Sequence, residues 1–210
     1  MQGIDVNLIM RNLSKRQQAF VDVTDFRVSL GREIYRQYPS FFMAMQCPLP
    51  ELPDRDKMEI CLEDNNDNLV AVFDLSYYLD EKPIQINGVT YKQKKNILEI
   101  GRFKFFNSLA HIEKIVRNHD GAVGYVIFLT NTIEYWTPPE DQKDTPNNDF
   151  QIHEGLLTQP IHSWTSSVKE HRDNATVKLH GQYNLTWHDF SKPCDSHNCL
   201  FRYLFVEVHK

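Results

Sequence analysis

The chain reads MEICL at residues 58–62, EDNNDN at 63–68 and LVAVFDLSYY at 69–78. Two apolar stretches on either side of an Asn/Asp-rich turn predict a pair of β-strands. The second stretch is apolar over most of its length, which is typical of a central strand covered on both faces. Glu59 and Asp74 interrupt these strands. A carboxylate in such a place destabilises the fold unless it is paired or bound to a metal, so we expect both acids to carry chemistry.

The residues around this pair of strands predict two helices and two further strands. Apolar residues recur at helical spacing in two places, which is the pattern of an amphipathic helix. They are Phe26, Leu30, Ile34 and Tyr38, four apart, and later Phe105, Leu109, Ile112 and Val116, three or four apart. Apolar runs at 123–129 and 201–208 predict a buried strand and a closing strand. The order of strand, strand, helix and strand predicts an α/β (α+β) fold, with a mixed central β-sheet flanked by helices and extra C-terminal β-strands.

The remaining segments are assigned more coarsely. Residues 1–25 have no clean period and are interpreted as an N-terminal extension, either a short strand or a helix. Asn87-Gly88 indicates a turn inside a polar segment that is either a hairpin or a loop. Residues 137–150 are rich in Pro, Asp and Asn and are predicted to form a surface loop. A hairpin is predicted over 176–187, turning at Gly181-Gln182.

Length and composition restrict the classes of protein to which the chain can belong. A length of 210 residues is most simply one domain, residues 1–210. The net charge of −5 argues mildly against a general nucleic-acid binder but not against a nuclease, whose site is acidic. No apolar run approaches the roughly 18 residues of a membrane span, and the N-terminus lacks the pattern of a signal peptide. The four cysteines do not suggest a disulfide scaffold, so we expect a reducing, cytoplasmic location.

The two strand acids predict a metal-dependent site. Mg²⁺ and Mn²⁺ are hard cations that take oxygen ligands, and such a metal lowers the pKa of an attacking water. Glu59 and Asp74 are spaced as facing positions on paired strands, and we expect both to be metal ligands. Glu33, at the edge of the first helical stripe, is a further candidate catalytic residue. A solvated helix charge is an equally good interpretation of Glu33.

Four segments resemble known families. FDLSYY at 73–78 resembles the hydrophobic-Glu-Leu-Lys-Tyr strand of the PD-(D/E)xK, or restriction-endonuclease-like, superfamily. The other segments resemble a more specific bacterial family: GRFKF at 101–105, GYVIFLTN at 124–131 with YW at 135–136, and GQYNLTW at 181–187 with FRYLFV at 201–206. The resemblance spans roughly residues 26 to 210. It implies a restriction-endonuclease-like fold and Mg²⁺-dependent hydrolysis of nucleic acid, in a setting of bacterial restriction or phage defence.

The chain departs from the superfamily motif at three positions. The resemblance places Glu59 where Asp is usual, Asp74 where Glu is usual, and Ser76 where the catalytic lysine belongs. A site tolerates little misplacement of a carboxylate, and loss of the lysine removes a donor that stabilises charge. Some members of the superfamily recruit a lysine from a neighbouring element. Lys104 is our candidate for that lysine and Arg102 is the second choice.

These departures leave other interpretations open. The chain is either an active nuclease or a catalytically inactive subunit of the same fold that serves as a binding or assembly partner. A binding module whose sheet merely resembles a nuclease is a weaker third hypothesis. In a rival register, ILEIG at 97–101 is the motif strand, Asp74 is the upstream acid and Gly101 stands at the lysine position. Asp74 is a ligand in both registers.

Two further clusters have competing interpretations. A basic group either contacts phosphates or forms a solvated loop: Lys92, Lys94, Lys95, Arg102 and Lys104. The interleaved Phe103, Phe105 and Phe106 either stack on bases or, as is more usual, belong to the core. Cys194, His197 and Cys199 fall within six residues and, with His188 as a fourth ligand, have the residue types of a zinc site. Structural zinc usually shows two clean ligand pairs, so a surface loop is the preferred interpretation there. A protein partner or a second copy of the chain remains open.

Overall fold

The computed structural model describes residues 3–54, 56–92, 98–139, 148–164 and 176–210. The helices in these ranges are α1 (Val6–Arg16), α2 (Val23–Gln37) and α3 (Leu98–Asn118). The strands are β1 (Phe42–Cys47), β2 (Met58–Glu63), β3 (Leu69–Tyr78), β4 (Ile84–Ile86), β5 (Val89–Tyr91), β6 (Val123–Thr130), β7 (Ile161–Ser163), β8 (Thr176–Lys178), β9 (Trp187–Ser191) and β10 (Phe201–Val208). Among the described helices, none is both long enough and apolar enough to cross a membrane.

Six strands form one mixed sheet in the order β1-β2-β3-β6-β10-β9. The strands β1, β2 and β3 are consecutive and antiparallel. β3 pairs in parallel with β6, and α3 lies on the chain between them, as a parallel pair requires a crossover. β10 pairs antiparallel with β6 and β9. The mixed sheet with flanking helices and extra C-terminal strands is therefore confirmed.

The sheet has a core on each face. On one side, Phe26 and Leu30 of α2 pack in a cluster with Phe73 of β3. On the other side, Phe105 and Leu109 of α3 belong to a second cluster. Residues 1–25, interpreted as an extension, contain α1, whose buried residues join the α2 cluster. The apolar alternation of β3 thus points one set of side chains at α2 and the other at α3.

Two loop segments gain definite structure. Asn87 and Gly88 have φ angles of 51° and 80° and join β4 to β5, as expected for a two-residue hairpin turn. In the segment 137–150, residues 140–147 lie outside the described residues. Its last residue, Phe150, is fully buried and belongs to a short 3₁₀ helix over Asn148–Phe150.

The predicted hairpin over 176–187 is wrong. β8 pairs with β7 instead, and residues 183–186 contribute only an isolated bridge between Asn184 and Leu157. The physical reason is Glu113 of α3, which is 3 % exposed. Its carboxylate accepts hydrogen bonds from the backbone N–H of His180 at 2.8 Å and Gly181 at 2.7 Å, and from the Tyr183 hydroxyl at 2.8 Å. A side chain distant in sequence fixes this turn.

We expect Glu113→Ala to lower the free energy of unfolding by about 3 kcal/mol, because three donors lose a buried charged acceptor. Glu113→Gln keeps one oxygen acceptor in the same place and is the matched variant, with an expected loss of about 1 kcal/mol. Chemical denaturation of the three proteins measures both losses. An alanine variant as stable as the glutamine variant would show that Glu113 does not hold the turn.

Candidate functional site

A cleft of about 670 Å³ opens at the end of the sheet where β3 ends and β2 begins. Its polar lining from the strands and the segment before β2 is Gln46, Asp56, Lys57, Glu59, Asp74 and Ser76. Its polar lining from α3 is Lys104, Asn107, Ser108 and His111. Three residues singled out from the sequence, Glu59, Asp74 and Lys104, therefore line one cleft.

Asp74 is the most perturbed acid of the cleft. The pKa of Asp74 is raised to about 6, chiefly by burial and in smaller part by the negative charges of Glu59 and Asp56. Hydrogen bonds from the side chain of Ser108 and from the backbone N–H of Leu75, at 2.8 Å to Oδ1, act in the opposite direction. The charged form of Asp74 is thus poorly compensated in the folded protein. A bound cation would relieve this.

Glu59 accepts hydrogen bonds from two donors on one of its oxygens. Nη1 of Arg27 in α2 lies 2.5 Å from Oε2 of Glu59, and Nε2 of Gln46 lies 2.9 Å from the same oxygen. Gln46 has a φ of 55°, in the left-handed region that non-glycine residues seldom occupy. The backbone of β1 is therefore bent into an unusual conformation at the residue that contacts Glu59.

The polar face of α3 contributes Lys104 to the cleft. Lys104, Ser108 and His111 recur at intervals of four and three, which places them on one face of the helix. Burial lowers the pKa of His111, and the Asp56 charge raises it in part, so the imidazole is neutral at pH 7. Ser76, at the position where the resemblance expects lysine, lines the same cleft without a charge.

The rival register at 97–101 is wrong, because Leu98–Gly101 are helical and begin α3; Ile97 lies outside the described residues. Gly101 inside this helix has a packing reason. A Cβ added to Gly101 would overlap the ring of Tyr135. GRFKF at 101–105 is consequently part of the first turns of α3, and its Lys104 lines the cleft.

Glu33 does not line the cleft. It is 2 % exposed, and its Oε2 lies 3.3 Å from Nε of Arg16 in α1 and 3.1 Å from Nη1 of Arg36. The Gln37 amide donates to its other oxygen at 3.0 Å. The structure thus gives Glu33 a role in joining α1 to α2, which replaces the predicted role at the metal.

The basic cluster is divided by the fold. Arg102 is buried and donates to the carbonyl oxygen of Glu134 at 2.5 Å, while its guanidinium lies over the Tyr135 ring. Arg102 therefore supports the fold and does not line the cleft. Lys92 is exposed after β5 and also lies outside the cleft lining, and Lys94 and Lys95 are outside the described residues. Contact of Lys92, Lys94 and Lys95 with nucleic acid stays a prediction.

The phenylalanines of α3 belong to the core. Phe105 and Phe106 are fully buried. Phe103 packs against the rings of Phe150 and Trp164 at centroid distances of 5.4 Å and 5.7 Å. The core interpretation of these residues is correct, and they are not placed to stack on bases.

The two cysteines considered as zinc ligands form a disulfide instead. Cys194 and Cys199 are bonded to each other, so neither sulfur is a thiolate ligand, and His188 stacks on Tyr203 at 5.1 Å. The composition argument did not predict this bond. Cys47 and Cys61 are buried free thiols.

The donors of the cleft suit a hard divalent cation. Within the described ranges, no group of three or more His, Cys, Asp and Glu side chains comes together closely enough to hold a metal. Mg²⁺, however, is commonly held by one or two carboxylates with waters completing its shell. Glu59 and Asp74 meet that requirement in donor chemistry.

Sequence reasoning missed Asp56, Ser108 and His111, which line the cleft, and Arg27, which contacts Glu59. The spacing of Lys104, Ser108 and His111, on a different face of the helix from Phe105 and Leu109, was the available signal for Ser108 and His111. No such signal existed for Arg27, because its contact with Glu59 depends on how α2 packs on the sheet.

Among protein-family models, curated proteins and solved structures, none matches this chain.

Proposed function

We propose that this protein is a nuclease of the PD-(D/E)xK type that hydrolyses phosphodiester bonds of nucleic acid with Mg²⁺ or Mn²⁺. The observation that carries the proposal is the cleft, which is lined by Glu59 and Asp74 from paired strands and by Lys104 from α3. Two acids on paired strands of a mixed sheet are also what the sequence resemblance implies. A bacterial restriction or defence setting belongs to the same proposal.

Each residue has a distinct task in this reaction. Asp74, charged above pH 6, and Glu59 supply oxygen ligands. A metal held by Glu59 and Asp74 would lower the pKa of its bound water and would stabilise the charge that develops on the phosphate. Ser108 orients Asp74 through its hydrogen bond. Lys104 of α3 lines the cleft. Its ammonium group offsets phosphate charge in place of the superfamily's catalytic lysine, whose position Ser76 occupies.

A second candidate function is a non-catalytic binding subunit with the same fold. The ion pair between Arg27 and Glu59, 2.5 Å long, favours it, because the guanidinium already neutralises one of the two proposed ligands. The three departures from the superfamily motif favour it as well. Calorimetry with Mn²⁺ separates the candidates: binding of one ion supports the nuclease, and no binding at millimolar metal supports the inactive subunit.

The direct test is cleavage of labelled single- and double-stranded DNA and RNA by the purified protein with Mn²⁺ or Mg²⁺. We expect Asp74→Ala to abolish cleavage, since it removes a ligand from the cleft. Glu33→Gln is the matched control, because it alters an acid that the sequence also suggested but that lies outside the cleft. Equal cleavage by wild type and the Asp74 variant would refute the proposal.

A further inference from the structure

Both strand carboxylates, Glu59 and Asp74, accept hydrogen bonds from the protein. Among the described residues, the donors that reach Glu59 both contact Oε2. The backbone N–H of Leu75 contacts Oδ1 of Asp74 at 2.8 Å. Asp74 also accepts a hydrogen bond from the side chain of Ser108. Glu59 is therefore held through a single oxygen, Oε2.

We infer that Arg27 and Gln46 are positioning residues, which anchor Oε2 of Glu59 so that Oε1 is held ready for a divalent cation. The inference rests on the proposed metal-dependent function and specifies how its second ligand is kept in place. Ligating carboxylates are commonly held by hydrogen bonds of this kind, and loss of such a partner typically weakens metal binding by 10- to 100-fold.

The surroundings of the pair agree with a role in positioning. The side chains of Arg27 and Glu59 are only 14 % and 17 % exposed, so the ion pair is largely buried. Gln46 donates to the same oxygen from a backbone conformation with φ of 55°. An unfavourable conformation retained at a contact residue is the kind of local strain that accompanies a functional site.

Arg27 and Gln46 come from different elements, α2 and β1, and neither contacts Asp74 through a described hydrogen bond. Their effect on a cation would therefore pass through Glu59. This distinguishes them from ligands. A competing counter-ion would also act through Glu59, but its removal would strengthen metal binding, whereas loss of a positioning residue weakens it.

The test uses substitutions that leave the charge of the site unchanged. Arg27→Lys keeps the positive charge but loses the planar fork of the guanidinium. Gln46→Gly removes the amide, and glycine adopts the positive φ without strain. Arg32→Lys is the matched control, since Arg32 is exposed on the same helix. Titration calorimetry with Mn²⁺ alone gives the dissociation constant of each full-length protein.

We expect both variants to bind Mn²⁺ about tenfold more weakly than wild type, with Arg32→Lys unchanged. The unfolding midpoint without metal is measured in parallel, because a purely structural role would lower that midpoint and leave the affinity as it is. Unchanged or tighter Mn²⁺ binding by both variants overturns the positioning role while the metal site stands. No Mn²⁺ binding by wild type overturns the proposed metal site and this inference with it.

Discussion

Asp74→Asn is expected to raise the free energy of unfolding at pH 8 by about 3 kcal/mol, although it removes a proposed metal ligand. Burial raises the pKa of Asp74 from 3.8 to about 6. The folded protein therefore holds this proton between pH 4 and 6 while the unfolded chain has released it, so stability falls as pH rises through that range. The loss is complete above about pH 6 and absent below pH 4. Asparagine has no charge to bury and keeps an oxygen for Leu75 and Ser108.

The pH dependence makes this expectation specific. Chemical denaturation of wild type and Asp74→Asn at pH 8 and pH 5 is the measurement, and we expect the advantage of the variant to be about half as large at pH 5. Mn²⁺ should then stabilise wild type and leave the variant unaffected. A variant less stable than wild type at pH 8, or a difference independent of pH, would contradict the assignment of a destabilising charge to Asp74.

Lys104→Ala is expected to lower kcat by about 100-fold or more, with a smaller change in KM. In the proposed reaction the ammonium group would stabilise charge that appears in the transition state, and loss of such an interaction lowers kcat. Alanine is the best helix former, so α3 should persist. Cleavage rates at saturating Mn²⁺ across a range of nucleic-acid concentrations separate kcat from KM.

Lys57 provides the comparison for Lys104, because it lines the same cleft from the segment that precedes β2. We expect Lys57→Ala to act mainly on KM, as a contact to substrate phosphate would. A larger loss of kcat from Lys57→Ala than from Lys104→Ala would assign the catalytic lysine to Lys57. Lys104→Arg tests whether charge alone is sufficient, since the two cations differ in shape.

The central strands could be predicted from the sequence because their own residues determine them. β3 runs over Leu69–Tyr78, the range expected from its apolar run, and β2 differs by one residue. The first turns of α3 were missed, since Gly101 is unfavourable in a helix by about 1 kcal/mol relative to alanine. Gly101 packs against Tyr135, a tertiary contact that the local sequence pattern does not reveal.

The site was only partly predictable for the same reason. Glu59 and Asp74 were recognisable as acids in apolar strands, but the helical phase that directs Lys104 to them depends on where α3 begins. Glu33 lay at the edge of its helical stripe, and only the packing of α1 reveals that Arg16 pairs with it. The predicted hairpin over 176–187 failed because Glu113, more than 60 residues away, binds its turn.

The ion pairs of Glu33 have a consequence for the N-terminal part of the chain. Glu33 ties α2 to Arg16 of α1, and Arg27, six residues earlier on the same rigid helix, holds Glu59. Six helical residues span about 9 Å. Two ion pairs of α2 thus reach in different directions, one to α1 and one to a residue that lines the cleft. Residues 6–16, interpreted from the sequence as part of an N-terminal extension, are tied by the first of them to the helix that carries Arg27.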